Sequence, residues 1–184
     1  MADDSGGDNP DQGDERLSQH PVDALIRDLI RTRRPASDDE IVQIVDRMAS
    51  TPFNQQIVSV PVDYRGLTYQ GHTLSNRENV WLLHLFQRVV DEQQWTEGTD
   101  RHEYLSDLRR AVRHFAARLC VYQRRGGNLA SILAPNTMPI TRRGIGSLPF
   151  VFIIYSADRG RIVSGYQASG VDTISIPEDA QWLK

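Results

Sequence analysis

Apolar side chains recur every three or four residues through the first part of the chain and in alternating or continuous short runs through the last, so the pattern predicts helices followed by strands. Val22, Leu25, Ile26, Leu29 and Ile30 mark a first amphipathic helix. It stops at Arg33-Arg34-Pro35, where the proline ring disfavours continuation. Ser37 and Glu40 have capping-box spacing, and Ile41, Ile44, Val45 and Met48 form the stripe of a second helix that ends near Ser50-Thr51-Pro52. Together these predict a helical hairpin over residues 21–52.

Gln56 to Val62 and Leu67 to Gln70 read as short strands joined at Asp63-Tyr64-Arg65-Gly66. Ser75 with Glu78 predicts a second capping box, opening a helix from Asn76 to Gln93 with Leu82, Leu85, Phe86 and Val89 inward. Thr99 is the expected cap of a helix from Asp100 to Phe115 that buries Tyr104, Leu105, Leu108, Val112 and Phe115. Beyond it the period changes. Arg118 to Gln123 and Leu129 to Ala134 flank a Gly-Gly-Asn turn, and Pro149 to Ser156 turns at Ala157-Asp158-Arg159-Gly160 into Arg161 to Ala168. The run PFVFIIYS has the composition of a central strand buried on both faces. Residues 53–184 are therefore expected to form an α+β domain, with a small antiparallel sheet packed on helices.

Composition refines this picture at three points. Residues 1–20 carry six acids, one base and almost no apolar side chains, which predicts a disordered acidic tail. Arg101 to Arg161 carries eleven arginines against Glu103, Asp107 and Asp158, so the second half is cationic, and Pro135 to Ser147 is expected to be an exposed basic loop. Neither a membrane-spanning run nor a signal peptide is visible, which predicts a cytoplasmic protein with no membrane partner. The single cysteine, Cys120, reads as a buried apolar residue.

No Walker loop, dinucleotide fingerprint, HExxH or GxSxG is present, and Gly144-Ile145-Gly146 is a weak phosphate-loop signal. The candidate chemistry lies elsewhere. His84 and Arg88, four apart on a helix, place an imidazole beside a guanidinium, with Arg77 and Asp91 near the same stripe. His102 falls in the first turn of the next helix, while His72 and His114 read as structural. Ser164 and Tyr166, two apart on a strand, share a face, and either Arg124 or Arg125 follows Tyr122 onto its own. A surface of arginine, hydroxyl and histidine groups suits a phosphodiester, whose transition-state charge needs fixed donors.

The helix RHEYLSDLRRAV, the strand RLCVYQRRGG, the buried strand FVFIIYS, the turn ADRG and the strand RIVSGYQAS resemble, in that order, the barnase, EndoU, colicin and RelE-type ribonuclease toxin superfamily. The likeness covers His102 to Gly170 and the His84 helix. That superfamily's late strand reads Gly-x-Ile-hydrophobic-Thr-x-Tyr, where this chain has Gly160-Arg161-Ile162-Val163-Ser164-Gly165-Tyr166. The resemblance implies a metal-independent endoribonuclease without cofactors, cutting tRNA or mRNA through 2′-hydroxyl attack and partnered by an antitoxin or immunity protein. It implies that Ser164 and Tyr166 contact the scissile phosphate and that Arg124 or Arg125 neutralises it; with His84 and His102 from the helix positions, the expected catalytic groups are His84, His102, Arg124, Ser164 and Tyr166. Arg88, Arg125, Arg142 and Arg143 are the expected substrate-binding groups. Two alternatives stay open: a non-catalytic interaction or regulatory module, and a small-molecule-binding domain using Thr141-Arg142-Arg143.

Overall fold

Ser37 and Glu40 close the capping box their spacing predicts, so helix α2 (Asp38–Ser50) begins where expected and pairs with α1 (Pro21–Thr32) as a hairpin. The computed structural model describes residues 16–184. After the hairpin come β1 (Ile57–Ser59), β2 (Thr68–Tyr69), β3 (His72–Thr73), β4 (Arg77–Asn79), α3 (Val80–Phe86) and α4 (Arg101–Val112). The last third holds β5 (Arg118–Arg124), β6 (Gly127–Pro135), β7 (Phe150–Ser156), β8 (Arg161–Ala168) and β9 (Gln181–Trp182). The class is α+β, with helices leading into an antiparallel sheet of order β8-β7-β6-β5-β9. Among the described residues no helix is long and apolar enough to cross a membrane.

Alternation divides the sheet residues between two faces. Leu119, Val121, Ala130, Ile132, Val151, Ile153 and Tyr155 point toward the helices and share one core with Ile26, Ile44, Leu85 and Leu108. The α1–α2 hairpin thus belongs to the same core as the rest. Leu133, Phe152 and Ala168 point the other way, into a second apolar cluster completed by Ile174. β7 is the buried strand its composition predicts, with Phe152 and Ile153 both 0 % exposed on opposite faces.

Four expectations are corrected between residues 53 and 147. Gln56–Val62 and Leu67–Gln70 do not pair with each other; β1 pairs with β4, and β2 pairs with β3. The tight turn sits instead at Gln70-Gly71, whose φ values of 49° and 79° supply the two left-handed positions of a two-residue hairpin loop. Glu78 does accept from the Ser75 amide, but the chain stays extended through Arg77–Asn79, so Arg77 lies on a strand and the helix opens only at Val80, capped by Asn79. α3 continues as one π-helical turn, Gln87–Asp91, and stops short of Gln93. Asp100, with Glu103, caps α4 in place of Thr99. That helix ends at Val112, before the turn in which the His114 ring accepts from the Ala116 amide, so Phe115 is 87 % exposed. The 135–147 loop is tied down by Met138, 4 % exposed, and by two arginine contacts described below.

Residues 1–15 of the expected tail lie outside the described residues, and residues 16–20 depart from the expectation because they are bonded to the body. The Ser18 amide donates to the Asp158 carbonyl (2.7 Å), Arg27 donates to the Ser18 carbonyl (2.8 Å), and His20 accepts from Val22 as the α1 cap. The Ser18 hydroxyl also donates to Asp23, a fully buried carboxylate shared with Arg47 and the Tyr155 hydroxyl. A chain beginning at Pro21 should be about 1–3 kcal/mol less stable than one beginning at Arg16, since each lost hydrogen bond contributes about 1 kcal/mol. Urea denaturation of the two chains reads this directly, and equal midpoints would show that Ser18 contributes nothing.

Candidate functional site along the free edge of β8

Among the described residues β8 has only one strand neighbour, β7, so its outer row of backbone groups needs other partners. The N-terminal half supplies them. The Asn54 amide donates to the Ile162 carbonyl (2.8 Å), and the His84 ring lies in polar contact with the backbone of Val163. Arg88 Nε (3.3 Å) and the Tyr104 hydroxyl (2.5 Å) converge on the Gly165 carbonyl. Gln94 acts as a surrogate strand residue, its Oε1 accepting from the Gln167 amide (2.8 Å) and its Nε2 donating to the Gln167 carbonyl (3.1 Å). The register slips between Ile154 and Tyr155, which pair with Ser164 and Ile162, and so leaves Val163 as a bulge at the point His84 reaches.

Around this edge the structure collects four of the nine expected site residues, His84, Arg88, Ser164 and Tyr166, and a fifth, Arg124, faces them across the outer sheet face. Arg88, 7 % exposed, lies 4.9 Å from the centre of the Tyr166 ring and is held from behind by Glu92 (2.5 Å). Tyr166 packs edge-on against Phe152, its centroid 5.3 Å away, and shares the outer sheet face with Ser164. Arg124 stands on the same face at the other side of the sheet, within electrostatic range of the Tyr166 hydroxyl. His84 sits one helical turn before Arg88 and next to β8. Burial, with a smaller contribution from the Arg88 charge, pulls the His84 pKa down to about 4, so this imidazole is neutral near pH 7. Burial pushes the Tyr166 phenol upward against the opposing charges of Arg88 and Arg124, so it stays a hydroxyl donor.

The other four expected residues lie apart from this cluster. His102 is exposed in the first turn of α4. Arg125 occupies the β5–β6 turn with φ 50° and is exposed. Arg142 grips buried Asp107 bidentately, at 2.7 and 3.0 Å, and Arg143 donates to the carbonyls of Met138 (3.0 Å) and Asn136 (3.2 Å), so both guanidiniums fasten the loop to the body. A Cβ on Gly144 would fall 1.9 Å from the Gln93 carbonyl oxygen, and one on Gly146 would fall 2.1 Å from that of Glu92. This glycine pair permits close backbone contact and does not form a phosphate loop. His72 pairs with Glu78 (3.1 Å), and Asp91 accepts from the Tyr64 hydroxyl.

Two features had no sequence expectation. Glu92 Oε2 is buried with no partner among the described residues, which leaves a proton acceptor beside Arg88; the i,i+4 spacing of the pair was the signal that could have found it. The C-terminal segment then crosses the outer sheet face from β8 to reach β5 through β9. Ile174 and Ile176 pack on its apolar cluster, Arg124 donates to the Ser175 carbonyl (3.0 Å), and the Ser175 backbone lies within electrostatic reach of the Tyr166 hydroxyl. Beneath this strap Tyr122 and Ser131 share a buried hydroxyl pair (2.7 Å). No family model, curated protein or solved structure matches this chain.

The low His84 pKa has a direct consequence for stability. The unfolded chain binds a proton at His84 below about pH 6.5, its ordinary value, whereas the folded chain does so only near pH 4. Folding stability should fall as pH drops from about 6.5 toward 4 and level off below that. In His84→Gln this part of the acid sensitivity should be lost, which pH-dependent urea melts of the two proteins would read; identical slopes would show that His84 titrates normally.

Proposed function

We propose that this chain is a metal-independent endoribonuclease of the toxin type, acting in the cytoplasm on tRNA or mRNA and controlled by an antitoxin or immunity protein. The observation that carries the reading is the Arg88 guanidinium fixed over Tyr166 by Gly165 and Glu92, with His84 in contact with the same strand. Arg88 and Arg124 hold the phosphate oxygens, and the Tyr166 and Ser164 hydroxyls donate to them as charge develops on the phosphorane. Neutral His84 takes the proton from the 2′-hydroxyl as its oxygen attacks phosphorus. The P–O5′ bond breaks, the proton is returned to O5′, and a 2′,3′-cyclic phosphate remains. Glu92 keeps Arg88 in place. RNA must first displace the Ser175 backbone from Arg124 and Tyr166.

That last requirement also favours a second reading, a non-catalytic interaction or regulatory module in which the strap is a permanent part of the sheet face. Incubating purified protein with total RNA in EDTA separates the two. The ribonuclease reading expects discrete fragments ending in 2′,3′-cyclic phosphate, unaffected by the chelator. Tyr166→Phe should lower cleavage about 10²-fold, the typical cost of one lost transition-state donor, while the melting temperature stays nearly constant. Arg124→Ala should act in the same direction. Intact RNA under every condition, together with normal growth of cells expressing the protein, would leave the module reading standing.

A further inference from the structure

The segment that carries Arg88 has a second side. Arg88 and Glu92 turn toward β8, whereas Val89, Val90 and Gln93 line a cleft of about 610 Å³ on the other side of the same π turn. The floor of this cleft is Trp95, Val89 and Tyr69, each no more than 5 % exposed. Its mouth carries the amides of Gln70 and Gln93 and the hydroxyl of Thr68, with the exposed Glu97 carboxylate and the Arg143 guanidinium, the latter donating to the Met138 and Asn136 carbonyls, on the rim. Val90 and Ile145, 42 % and 90 % exposed, flank the opening as apolar walls. Its volume falls within the range of about 300–1,000 Å³ typical of sites that enclose a small molecule.

Two backbone features build this arrangement. Gln93 has φ 53°, a left-handed conformation uncommon for a residue with a side chain, and it lies between Glu92, which holds Arg88, and Gln94, which caps β8. A π turn is an uncommon local structure, frequently found at functional sites. The Gly144–Gly146 loop closes against the carbonyls of Glu92 and Gln93, where any side chain on these glycines would collide, and so brings Ile145 to the rim. Segment 88–95 therefore turns one cation toward β8 and keeps an apolar recess with a polar mouth on its other side. Val90 lies within about 8 Å of Arg88 along the backbone, a separation of two residues.

We infer that this cleft binds a nucleobase of the RNA whose phosphate Arg88 holds, which extends the ribonuclease reading and rests on it for the phosphate. A base is a flat apolar ring with hydrogen-bonding edges. The recess offers the first an apolar floor and the second amides and a hydroxyl; a cation is not required, since a base edge is neutral. Proteins that read single-stranded RNA combine apolar contact to the ring with hydrogen bonds to its edges in the same way.

The test uses the full chain and does not depend on cleavage. In ¹H–¹⁵N spectra titrated with adenosine, guanosine, cytidine and uridine to millimolar concentration, at least one nucleoside should shift the amides of Thr68, Val90, Gln93 and Ile145. Val90→Arg fills the cleft from an exposed position, so it should weaken that binding at least tenfold with an unchanged melting temperature. Tyr166→Phe should leave the binding intact. The inference is overturned if no nucleoside shifts the cleft amides, if Val90→Arg binds as well as the parent, or if indole, which has a similar shape but lacks the polar edges, binds as tightly as the best nucleoside. Nucleoside binding without any RNA cleavage would sustain the base site and sink the ribonuclease reading; cleavage without nucleoside binding would do the reverse.

Discussion

The structure depends on how the outer edge of β8 is satisfied. A strand at the end of a sheet presents a row of backbone donors and acceptors that must find partners or face water, and β8 runs through the middle of the molecule. Its partners come from Asn54, His84, Arg88, Gln94 and Tyr104, residues of four different segments. One unmet need therefore organises the irregular region between the helical hairpin and α4. It also explains why that region is irregular. A continuous helix from Asn76 to Gln93 would offer β8 a single smooth stripe, whereas the break at Asn79, the π turn and the reversal at Gln93 present a ring, a guanidinium and an amide in succession.

What was legible in the sequence follows the range of the interactions. The α1–α2 hairpin, β5 through β8 and the buried character of β7 were legible because capping boxes, periodicity and turn residues act over a few positions. The expected hairpin at 56–70 was not, since β1 finds its partner about twenty residues away in β4, and a run of three residues carries too little pattern to name its mate. Ser75 and Glu78 show a further limit. Their hydrogen bonds form as the capping-box spacing requires, yet the next residues pair with β1, so a tertiary contact overrides a local helix signal. His84, Arg88, Ser164 and Tyr166 meet because both pairs lie on elements whose faces could be assigned. Gln94 and Glu92 escaped because only the fold shows that β8 needs covering.

Buried polar groups elsewhere follow the same logic. Asp23 is fully buried, yet each of its oxygens has partners in Ser18, Arg47 and Tyr155, which spares it the large cost of an isolated charge in an apolar interior. Gln167 uses its side-chain oxygen to gather Leu148, Ser147 and Asn136, and its amide to reach the Gln94 carbonyl. Asp107 anchors Arg142 and accepts from the Trp95 indole (3.2 Å). The Asp23 and Gln167 networks join the N-terminal half and the 135–147 loop to the sheet, and Asp107 joins that loop to α4, so the arginines counted as a basic surface divide into those committed to the fold and those left at its edge.

That division decides where chemistry can sit. Arg142 and Arg143 are spent on Asp107 and on backbone carbonyls, and Arg125 projects from a turn away from the rest. Arg88 differs from them because its partners fix its direction without enclosing it in a loop: Glu92 neutralises it from behind and the Tyr166 ring lies beneath it. Arg124 differs in another way, since its partner is a neutral backbone carbonyl of the strap, and an anion competes far better for a guanidinium than a carbonyl does. The segment after β8 covers the outer sheet face, with Ile174 and Ile176 on its apolar cluster and the Ser175 carbonyl on Arg124. The strap's hold on Arg124 is a neutral carbonyl, and its backbone lies beside the Tyr166 hydroxyl, contacts that an incoming phosphate oxygen replaces with charge-assisted ones. Whether the edge works as a site is therefore a competition between Ser175 and a ligand for the same two side chains.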